Sequence, residues 1–352
     1  MKVRDAISRM GFYEPPLGAR KNGDQLLLDF NESTIPPPAE ALEAMTRFIQ
    51  SGKVKEYPDY RPVISKLADY AGVRTDQVIV TNGSDQAIDI ILRALLNEGD
   101  EMIFPRPGFS MFPHIADSLG AVTVETRYRE DMSFPFEETI AAVGPKTRLI
   151  VLVTPNNPTG TVIPPEQIRA ILEQFPEIPV LVDEAYYEFT GSTSTDLIDS
   201  HDNLVVIRTF SKAFALAGLR FGYAMSNPGF IRELHKVRGP FDVNMMAVRG
   251  VEAILDHLEP VRAYIREVMD NAKPMVERFF REHGVTFFPS GGNFLLVQPD
   301  DLDSAYQFLL KRDVLVRCQG APIPNMFRLS IGTTGDMKRF VQTYAEYLES
   351  RG

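Results

Sequence analysis

The chain has 352 residues, which is enough for two domains or for one large domain with appendages. With 44% hydrophobic and 24% charged residues, the composition predicts a globular protein and excludes a disordered polymer. The 47 acidic side chains exceed the 37 Lys and Arg side chains and leave a formal net charge of −10, which disfavours nucleic acid and anionic membranes as partners.

No pattern in the sequence indicates export, a membrane span or a bound metal ion. Cys318 is the one cysteine, so it has no internal disulfide partner, and no Cys and His spacing resembles a zinc site. The first residues lack the apolar segment of a signal peptide, and no run approaches the ~18 apolar residues of a membrane span. We therefore expect a cytoplasmic protein without a metal ion.

An N-terminal arm, residues 1–35, precedes the body of the chain. It ends before three consecutive prolines, Pro36-Pro37-Pro38, and a helical pattern over Ala39–Ile49 follows them. From there to residue 243, β-branched runs alternate with helical stretches. The runs that predict strands are Val78–Thr81, Glu101–Phe104, Ala121–Glu125, Leu149–Thr154, Val180–Asp183, Leu204–Arg208 and Phe221–Met225. The helical patterns between them include Asp85–Leu96, Pro165–Phe175 and Phe230–Val237.

The apolar runs predict the layers of this part of the chain. A continuously apolar run such as residues 149–153 is typical of a strand covered on both faces, as in mostly parallel sheets. Residues 36–243 therefore predict a large three-layer α/β domain. After residue 243 a long helical stretch interrupted at Pro260 precedes a strand region at Val285–Val297 and further helices. We expect residues 244–352 to form a smaller α+β domain.

An acidic pair, Asp183-Glu184, stands at the carboxyl end of one buried strand. A magnesium site of the nucleotide-hydrolase type would also need a Gly-x4-Gly-Lys-Ser/Thr loop. The nearest spacing, Gly18 to Gly23, is followed by Asp24, so that reading is disfavoured. A carboxylate that caps the next helix remains the plain alternative.

Lys212 lies just past another strand, among small and apolar residues. In such surroundings and beside cations the ammonium form is disfavoured, and the free amine becomes a nucleophile that can form an imine with an aldehyde. Thr209, Ser211 and Arg220 supply the hydroxyls and the guanidinium that a phosphate dianion requires. The alternative is an ordinary solvated lysine.

Two further segments follow predicted strands. Gly83, Ser84 and Asp85 open a helix, where unpaired N–H groups form an anion site, although an ordinary helix cap would look the same. Asn157 lies in the rigid turn 154–160, from which its amide could enter a cleft at the strand ends. A purely structural turn remains the alternative there.

Taken together, these four segments resemble the fold-type-I pyridoxal-phosphate-dependent aminotransferases. The resemblance extends almost from end to end, and its most specific motifs in order are Asn-Asn-Pro-Thr-Gly at 156–160, Asp-Glu-Ala-Tyr at 183–186 and Ser-Lys-Ala-Phe at 211–214. Within this superfamily the chain is most similar to the histidinol-phosphate aminotransferase family. That similarity also rests on Asn31-Glu32, Tyr57-Pro58-Asp59 and the run from Arg328 to Thr333.

The resemblance implies pyridoxal 5'-phosphate as the cofactor and gives three residues catalytic roles. Lys212 would hold the cofactor covalently and act as nucleophile and general base. Asp183 would pair with the protonated pyridine nitrogen, and Tyr186 would join Asn157 in hydrogen bonds to the phenolic oxygen of the ring.

The resemblance also implies the remaining contacts of the site. The residues that would bind the cofactor phosphate are Gly83, Ser84, Asp85, Thr209, Ser211 and Arg220. Phe109 would stack on the ring, and Tyr57 would reach the cofactor phosphate of a neighbouring subunit, which makes the protein a homodimer with shared active sites. Arg328 would bind the substrate's carboxylate or phosphate, with Tyr13 and Asn31 of the arm at the substrate side.

The predicted reaction is transamination between L-histidinol phosphate and 2-oxoglutarate, which gives imidazole acetol phosphate and L-glutamate in histidine biosynthesis. Three departures from the family pattern bear on the substrate. The glycine of the arm motif is displaced to Gly18, Ser33–Pro36 replaces a further arm motif, and Asp242 stands where asparagine is common. Asp242 places a negative charge near a pocket that is expected to receive phosphate.

Three other functions stay open at this point. Aromatic amino acids are the main alternative amine donors, and a threonine-phosphate decarboxylase is a more distant possibility. A DNA-binding regulator built on the same fold would need an additional basic helix-turn-helix segment of ~60–80 residues, and the acidic balance disfavours DNA.

Overall fold

The computed structural model describes residues 1–15, 17–21 and 23–351. Strands in these ranges are β1 (Leu26–Leu28), β2 (Val78–Thr81), β3 (Glu101–Arg106), β4 (Val122–Arg127), β5 (Thr147–Val153), β6 (Val180–Asp183), β7 (Leu204–Thr209), β8 (Gly222–Ser226), β9 (Thr286–Phe288), β10 (Phe294–Gln298), β11 (Val314–Cys318) and β12 (Phe327–Ser330).

Helices in the same ranges are α1 (Asp5–Arg9), α2 (Ala39–Gln50), α3 (Arg61–Ala71), α4 (Gly83–Leu95), α5 (Met111–Leu119), α6 (Phe136–Ala141), α7 (Pro165–Gln174), α8 (Tyr187–Thr190), α9 (Pro228–Val237), α10 (Met245–Asp256), α11 (Glu259–Arg266), α12 (Lys273–Glu282), α13 (Leu302–Lys311) and α14 (Thr334–Glu349). A π-helical segment, Glu267–Ala272, joins α11 to α12. No helix in the described ranges is long and apolar enough to cross a membrane.

The larger sheet has seven strands in the order β2-β8-β7-β6-β5-β3-β4. All neighbouring strands are parallel except the two pairs that include β8. Alternate residues of its strands enter two separate hydrophobic clusters: Val180 and Val182 of β6 join one, and Leu181 joins the other. Helices α4, α5 and α9 cover the second cluster, and α3, α7 and α10 cover the first. This is the predicted three-layer fold.

The smaller sheet has five strands in the order β1-β11-β12-β10-β9. Strand β1 comes from the N-terminal arm and pairs in parallel with β11, from Leu26 opposite Val314 to Leu28 opposite Val316. Helix α1 of the same arm packs on α5, and Arg4 Nη2 donates a hydrogen bond of 3.3 Å to the Leu119 carbonyl. The arm therefore contacts the smaller sheet through β1 and the helical layer of the larger sheet through α1.

The large-domain strands and the predicted helices begin and end within two residues of the sequence-based expectation. The hydrophobic pattern predicts the positions of these elements because Gly and Pro residues mark the ends of the apolar runs. The division into an arm, a domain at 36–243 and a domain at 244–352 stays a prediction. Helix α10 packs on α2 and α3, so residues on both sides of the predicted boundary share one core.

Parallel strands bring their following loops to one edge of the sheet. Strands β3, β5, β6 and β7 are neighbours and point the same way, so the residues after Arg106, Val153, Asp183 and Thr209 meet there. Asn156 links two of these loops, because its Nδ2 donates a hydrogen bond of 2.9 Å to the Pro107 carbonyl. This edge is where the candidate site lies.

Gly222 controls how closely β8 approaches the start of α4. An added Cβ would lie 2.6 Å from Gly83 C and from Ser84 N, both backbone atoms. We expect Gly222→Ala to destabilise the fold by about 1–3 kcal/mol, because the added carbon would meet backbone atoms of α4 while β8 is held in place by its pairing with β2 and β7. Denaturant unfolding measures this loss. Gly218→Ala is the matched control, since a Cβ there meets nothing within 4 Å. Equal stability of the two variants would contradict the prediction.

Candidate active site

Asp183 is a buried carboxylate at the carboxyl end of β6. It is 3% exposed, and its Oδ1 accepts a hydrogen bond of 3.0 Å from the Ala185 N–H. The pKa of Asp183 is raised to about 7, mainly by burial and in smaller part by the charges of Asp85 and Glu184. A carboxylate in this setting is stabilised by a cation placed beside it.

Lys212 is a partly buried lysine in the loop after β7. Its Nζ donates a hydrogen bond of 2.8 Å to the Phe30 carbonyl and lies 5.9 Å from the centre of the Tyr186 ring. The pKa of Lys212 is lowered to about 8, mainly by burial of the amine and in smaller part by the nearby Arg328 guanidinium. Near neutral pH a larger share of this amine is therefore in the nucleophilic form than in a solvated lysine.

Asn31 and Ser330 hold the hydroxyl of Tyr186. Asn31 Nδ2 donates to the Tyr186 hydroxyl over 2.9 Å, and Ser330 Oγ donates to Asn31 Oδ1 over 2.9 Å. Because the phenol oxygen accepts the bond from Asn31, its own O–H remains able to donate to a ligand. Asn31 was expected at the substrate side. In the structure it is fully buried, with a left-handed backbone (φ 54°), and its side chain bonds to these two residues.

Polar groups from two loops surround the start of α4. Thr209 Oγ1 donates to Ser211 Oγ over 2.9 Å, and Arg220 Nη2 donates to Asp85 Oδ2 over 2.8 Å. Gly83 has a φ of 76°, which favours glycine, and an added Cβ would lie 2.5 Å from Arg220 Nη2 and displace that side chain. The structure therefore brings Gly83, Ser84, Asp85, Thr209, Ser211 and Arg220 together.

Arg328 lies on β12 and joins this region to the arm. Its Nη1 donates to Asn157 Oδ1 and its Nη2 donates to the Asp29 carbonyl, each over 2.5 Å. The residue is 7% exposed, and burial lowers its pKa. Its buried Nε has no hydrogen-bond partner within the described ranges. A buried guanidinium with a free donor is suited to an anionic ligand.

Arg317 is a candidate residue that the sequence analysis did not single out. It lies directly opposite Arg328 in the antiparallel pairing of β11 and β12, so both side chains leave the same face of the sheet. Arg317 contributes to lowering the pKa of Arg328, and its guanidinium lies 5.6 Å from the centre of the Phe30 ring. Only the strand register reveals this pairing, since the ten residues between the two arginines include a loop.

A buried ion pair behind the site was also not anticipated. Glu184 was considered only together with Asp183. In the structure Arg208 Nε and Nη2 both donate to Glu184 Oε2, over 3.0 and 2.8 Å, and Thr193 Oγ1 donates to the same oxygen over 3.0 Å. The Arg208 side chain is 1% exposed and the Glu184 side chain is 0% exposed. Glu184 and Arg208 thus connect the ends of β6 and β7.

The three aromatic residues predicted to contact cofactor or substrate differ in how far they are exposed. Phe109 follows β3, is half-buried and packs edge to face on Phe112, with ring centres 6.3 Å apart. Tyr13 is 38% exposed and lies close enough to Arg328 to influence its pKa. Tyr57 is 81% exposed and lies on the ring of Phe241, with centres 4.5 Å apart, and the structure gives it no contact with Lys212.

These residues fit pyridoxal phosphate by the chemistry of their donors and acceptors. The first N–H groups of α4, two hydroxyls and Arg220 suit a phosphate dianion. Asp183 is a buried acid without a cationic hydrogen-bond partner among the described residues, and it suits a protonated ring nitrogen. Lys212 suits an aldehyde. No group of three or more His, Cys, Asp or Glu side chains in the described part of the chain could hold a metal ion.

Comparison with known proteins identifies the family. Residues 23–343 match the family model described as aminotransferase class I and II, and the chain belongs to that family. It is a pyridoxal-phosphate-dependent aminotransferase, which confirms the class of enzyme and the cofactor that the sequence predicts. The roles of the individual residues stay predictions.

Two curated relatives and one solved structure illustrate the similarity. The chain is 37% identical over 295 residues to a histidinol-phosphate aminotransferase of Thermoanaerobacter sp. (strain X514), which covers 82% of this chain and 83% of the relative. It is 31% identical over 335 residues to a dihydroxyacetone phosphate transaminase of Campylobacter jejuni, which covers 93% and 91%. The crystal structure of histidinol-phosphate aminotransferase from Sinorhizobium meliloti with pyridoxal-5'-phosphate has a TM-score of 0.88 at 24% identity and covers 100% of this chain and 98% of that one. This likeness confirms the predicted fold.

The lowered pKa of Lys212 generates a prediction for the apoprotein. The rate of imine formation between Lys212 and pyridoxal should rise with pH and reach half its maximum near pH 8, because only the free amine reacts. Borohydride trapping at each pH, followed by peptide mapping, measures the rate at this residue. Arg328→Met should move the midpoint upward, since Arg328 lowers the pKa of Lys212.

Lys273 provides the internal comparison for this experiment. Burial also lowers its pKa to about 8, but its Nζ bonds to the Ser290 and Gly292 carbonyls in the small-sheet region. A lowered pKa alone therefore does not identify the reactive lysine. A midpoint near pH 10, or an adduct on Lys273, would contradict the assignment of Lys212.

Proposed function

We propose that this enzyme transfers the amino group of L-histidinol phosphate to 2-oxoglutarate, which gives imidazole acetol phosphate and L-glutamate in histidine biosynthesis. The observation that carries the proposal is the pair of arginines, Arg317 and Arg328, on one face of the small sheet. Two neighbouring cations repel each other, and an anion of charge −2 placed between them removes that repulsion.

The surroundings of the pair support a phosphorylated amine donor. The Nε of Arg328 is a buried donor without a partner in the described part of the chain, and Asn157 and Asp29 hold the other two guanidinium nitrogens in place. Both curated relatives described above act, by their names, on compounds that carry phosphate. An aromatic amino acid has one carboxylate, which Arg328 alone can bind, and it would leave Arg317 without an anion.

We assign the chemical steps to residues of this chain as follows. Pyridoxal phosphate, when bound, supplies the electron-withdrawing ring that takes up the electrons of the substrate's Cα–H bond. Lys212 Nζ removes that proton from Cα and delivers it to the C4′ carbon of the cofactor. Asp183 keeps a positive charge on the ring nitrogen, and the Tyr186 hydroxyl donates a hydrogen bond to the phenolic oxygen.

The proposal includes a homodimer in the cytoplasm. Tyr57 and Phe241 form an exposed aromatic pair, 81% and 52% accessible, and further exposed apolar side chains lie before them on α2 and the next turn. These side chains are Leu42, Ile49 and Val54. A cluster of this kind is typical of a surface that a second subunit covers. The lone Cys318 thiol fits a reducing compartment.

Substrate preference tests the proposed donor. Wild-type enzyme should prefer histidinol phosphate over histidinol by at least ~10²-fold in kcat/KM, because charge-assisted hydrogen bonds to phosphate contribute about 1.5–3 kcal/mol each. Arg317→Met should lower kcat/KM for histidinol phosphate by roughly 10- to 100-fold and leave histidinol nearly unchanged. A coupled assay of glutamate formation from 2-oxoglutarate measures both.

Arg312→Met is the matched control for this test, since Arg312 is exposed and pairs with Glu346 away from the site. Phenylalanine, tyrosine and histidine are assayed in parallel. An aromatic amino acid as the better donor would replace this proposal with the aromatic aminotransferase. Release of carbon dioxide from threonine phosphate would favour the decarboxylase.

Shared active sites generate a separate prediction. Tyr57→Ala and Lys212→Ala homodimers should each be nearly inactive, whereas a hybrid dimer has one site with both native residues. Random reassociation should restore about a quarter of the wild-type activity, because half of the dimers are hybrids with one working site each. Native mass spectrometry verifies the hybrid. No recovery in verified hybrids would place Tyr57 outside the partner's site.

A further inference from the structure

The departure at position 242 has a specific place in the structure. Asp242 Oδ2 accepts a hydrogen bond of 2.6 Å from Gln86 Nε2, and its Oδ1 lies 3.5 Å from Arg238 Nε. The side chains of Arg238 and Asp242 are 5% and 18% exposed. The carboxylate is therefore paired with a buried cation and does not face the phosphate region as a lone charge.

Gln86 connects Asp242 to the turn that opens α4. Its Oε1 accepts a hydrogen bond of 2.6 Å from the Asn82 N–H, the residue immediately before the helix. The Asn82 side chain makes no capping bond to the helix, and the bond to Gln86 instead ties the Asn82 backbone N–H to α4. Residues 83–85 follow at once, and their N–H groups are the proposed phosphate donors.

The charge type at position 242 decides which way the Gln86 amide points. A carboxylate only accepts hydrogen bonds, so the amide nitrogen of Gln86 must face Asp242 and the oxygen must face the Asn82 N–H. An asparagine at 242 has only one oxygen. When that oxygen faces the Arg238 guanidinium, as Oδ1 of the carboxylate does, its NH2 group faces Gln86 and turns the Gln86 amide the other way. In the wrong orientation the Gln86 NH2 group would face the Asn82 N–H, two donors would oppose each other, and the turn would lose its bond.

Arg238 anchors the other side of Asp242. Its Nη1 donates to the Val80 carbonyl of β2 over 2.7 Å, and its guanidinium lies 5.3 Å from the centre of the Tyr60 ring. Strand β2 leads directly into residues 82–85. The same two side chains, Arg238 and Asp242, therefore contact both the strand before the turn and, through Gln86, the first residue of the turn.

We propose that Asp242 is a positioning residue for the cofactor phosphate, acting through Gln86 to hold the turn at residues 82–85 in its binding conformation. The inference rests on the proposed binding of the cofactor phosphate by that turn. In this role Asp242 supports phosphate binding without contacting the phosphate. Its effect depends on the hydrogen bond that Gln86 donates to it.

The test compares a phosphorylated with an unphosphorylated ligand on the apoprotein. We expect Asp242→Asn to weaken pyridoxal phosphate binding by about 10-fold, which corresponds to about 1.4 kcal/mol, and to leave pyridoxal binding unchanged. Gln86→Met should weaken pyridoxal phosphate binding to a similar degree while it keeps the ion pair of Asp242 with Arg238. The two effects should not add, because both variants break one chain of hydrogen bonds. Equilibrium titration of cofactor absorbance measures the affinity of wild type, of each single variant and of the Gln86→Met/Asp242→Asn double variant for both ligands.

An exchange of the two side-chain types provides the rescue. In the double variant Gln86→Glu/Asp242→Asn, the carboxylate at 86 accepts both from the Asn82 N–H and from the amide at 242, so pyridoxal phosphate affinity should return to within about 2-fold of wild type. Glu277→Gln is the matched control, because Glu277 is 20% exposed and pairs with Arg281 on α12. It should change neither affinity.

The outcomes separate the two assumptions. If wild-type apoprotein binds pyridoxal phosphate no more tightly than pyridoxal, the assignment of the phosphate to residues 82–85 fails and the inference fails with it. If the phosphate preference is present in wild type and equally large in Asp242→Asn and Gln86→Met, the inference alone is overturned. Equal weakening of both ligands would show a general loss of structure and would also overturn it.

Discussion

The burial of Asp183 is the constraint around which the site is built. A carboxyl group with a pKa of about 7 in the folded chain and an ordinary value near 3.8 costs about 4 kcal/mol of folding stability when ionised. The cost develops as the pH rises from about 4 to about 7, because the unfolded chain releases this proton first. A ligand cation placed beside Asp183 removes the cost. The protein is thus destabilised locally in a way that favours the bound state.

The pKa of Lys212 is lowered by the same physical effect, burial, that raises the pKa of Asp183. Burial disfavours the ammonium as it disfavours the carboxylate. Near neutral pH part of Lys212 is therefore the free amine that can remove a proton, whereas Asp183 is favoured as a carboxylate when a cation lies beside it. The arm encloses this region. The Phe30 carbonyl accepts the bond from Lys212, and the next residue, Asn31, holds the Tyr186 hydroxyl. The left-handed backbone at Asn31 is compatible with these two contacts, and asparagine adopts that conformation more readily than most residues.

Sequence patterns predicted the parts of this arrangement that are local in the chain. The strand ending at Asp183 and the loop containing Lys212 follow from apolar runs and from the residues directly after them. Side chains that meet through sheet register or through the arm could not be found in this way. Arg317 faces Arg328 only because β11 and β12 are antiparallel neighbours. Strand β1 is three residues long and gains its partner from the far end of the chain, so its local pattern carries little signal.

The buried ion pair that pattern reading missed, Glu184 with Arg208, connects the ends of two strands. Glu184 follows Asp183, and Arg208 precedes Thr209, so their ion pair fixes the distance between the carboxylate end of β6 and the hydroxyl end of β7. Removal of one partner would leave an unpaired charge in the core, at a cost of about 3–5 kcal/mol. A fully buried ion pair contributes little net stability compared with apolar side chains, but a shifted register of β6 against β7 would leave both charges unpaired in the core, so the pair favours a single placement of the two strand ends. A site whose charged groups must meet one ligand at several points requires that single placement more than it requires additional stability.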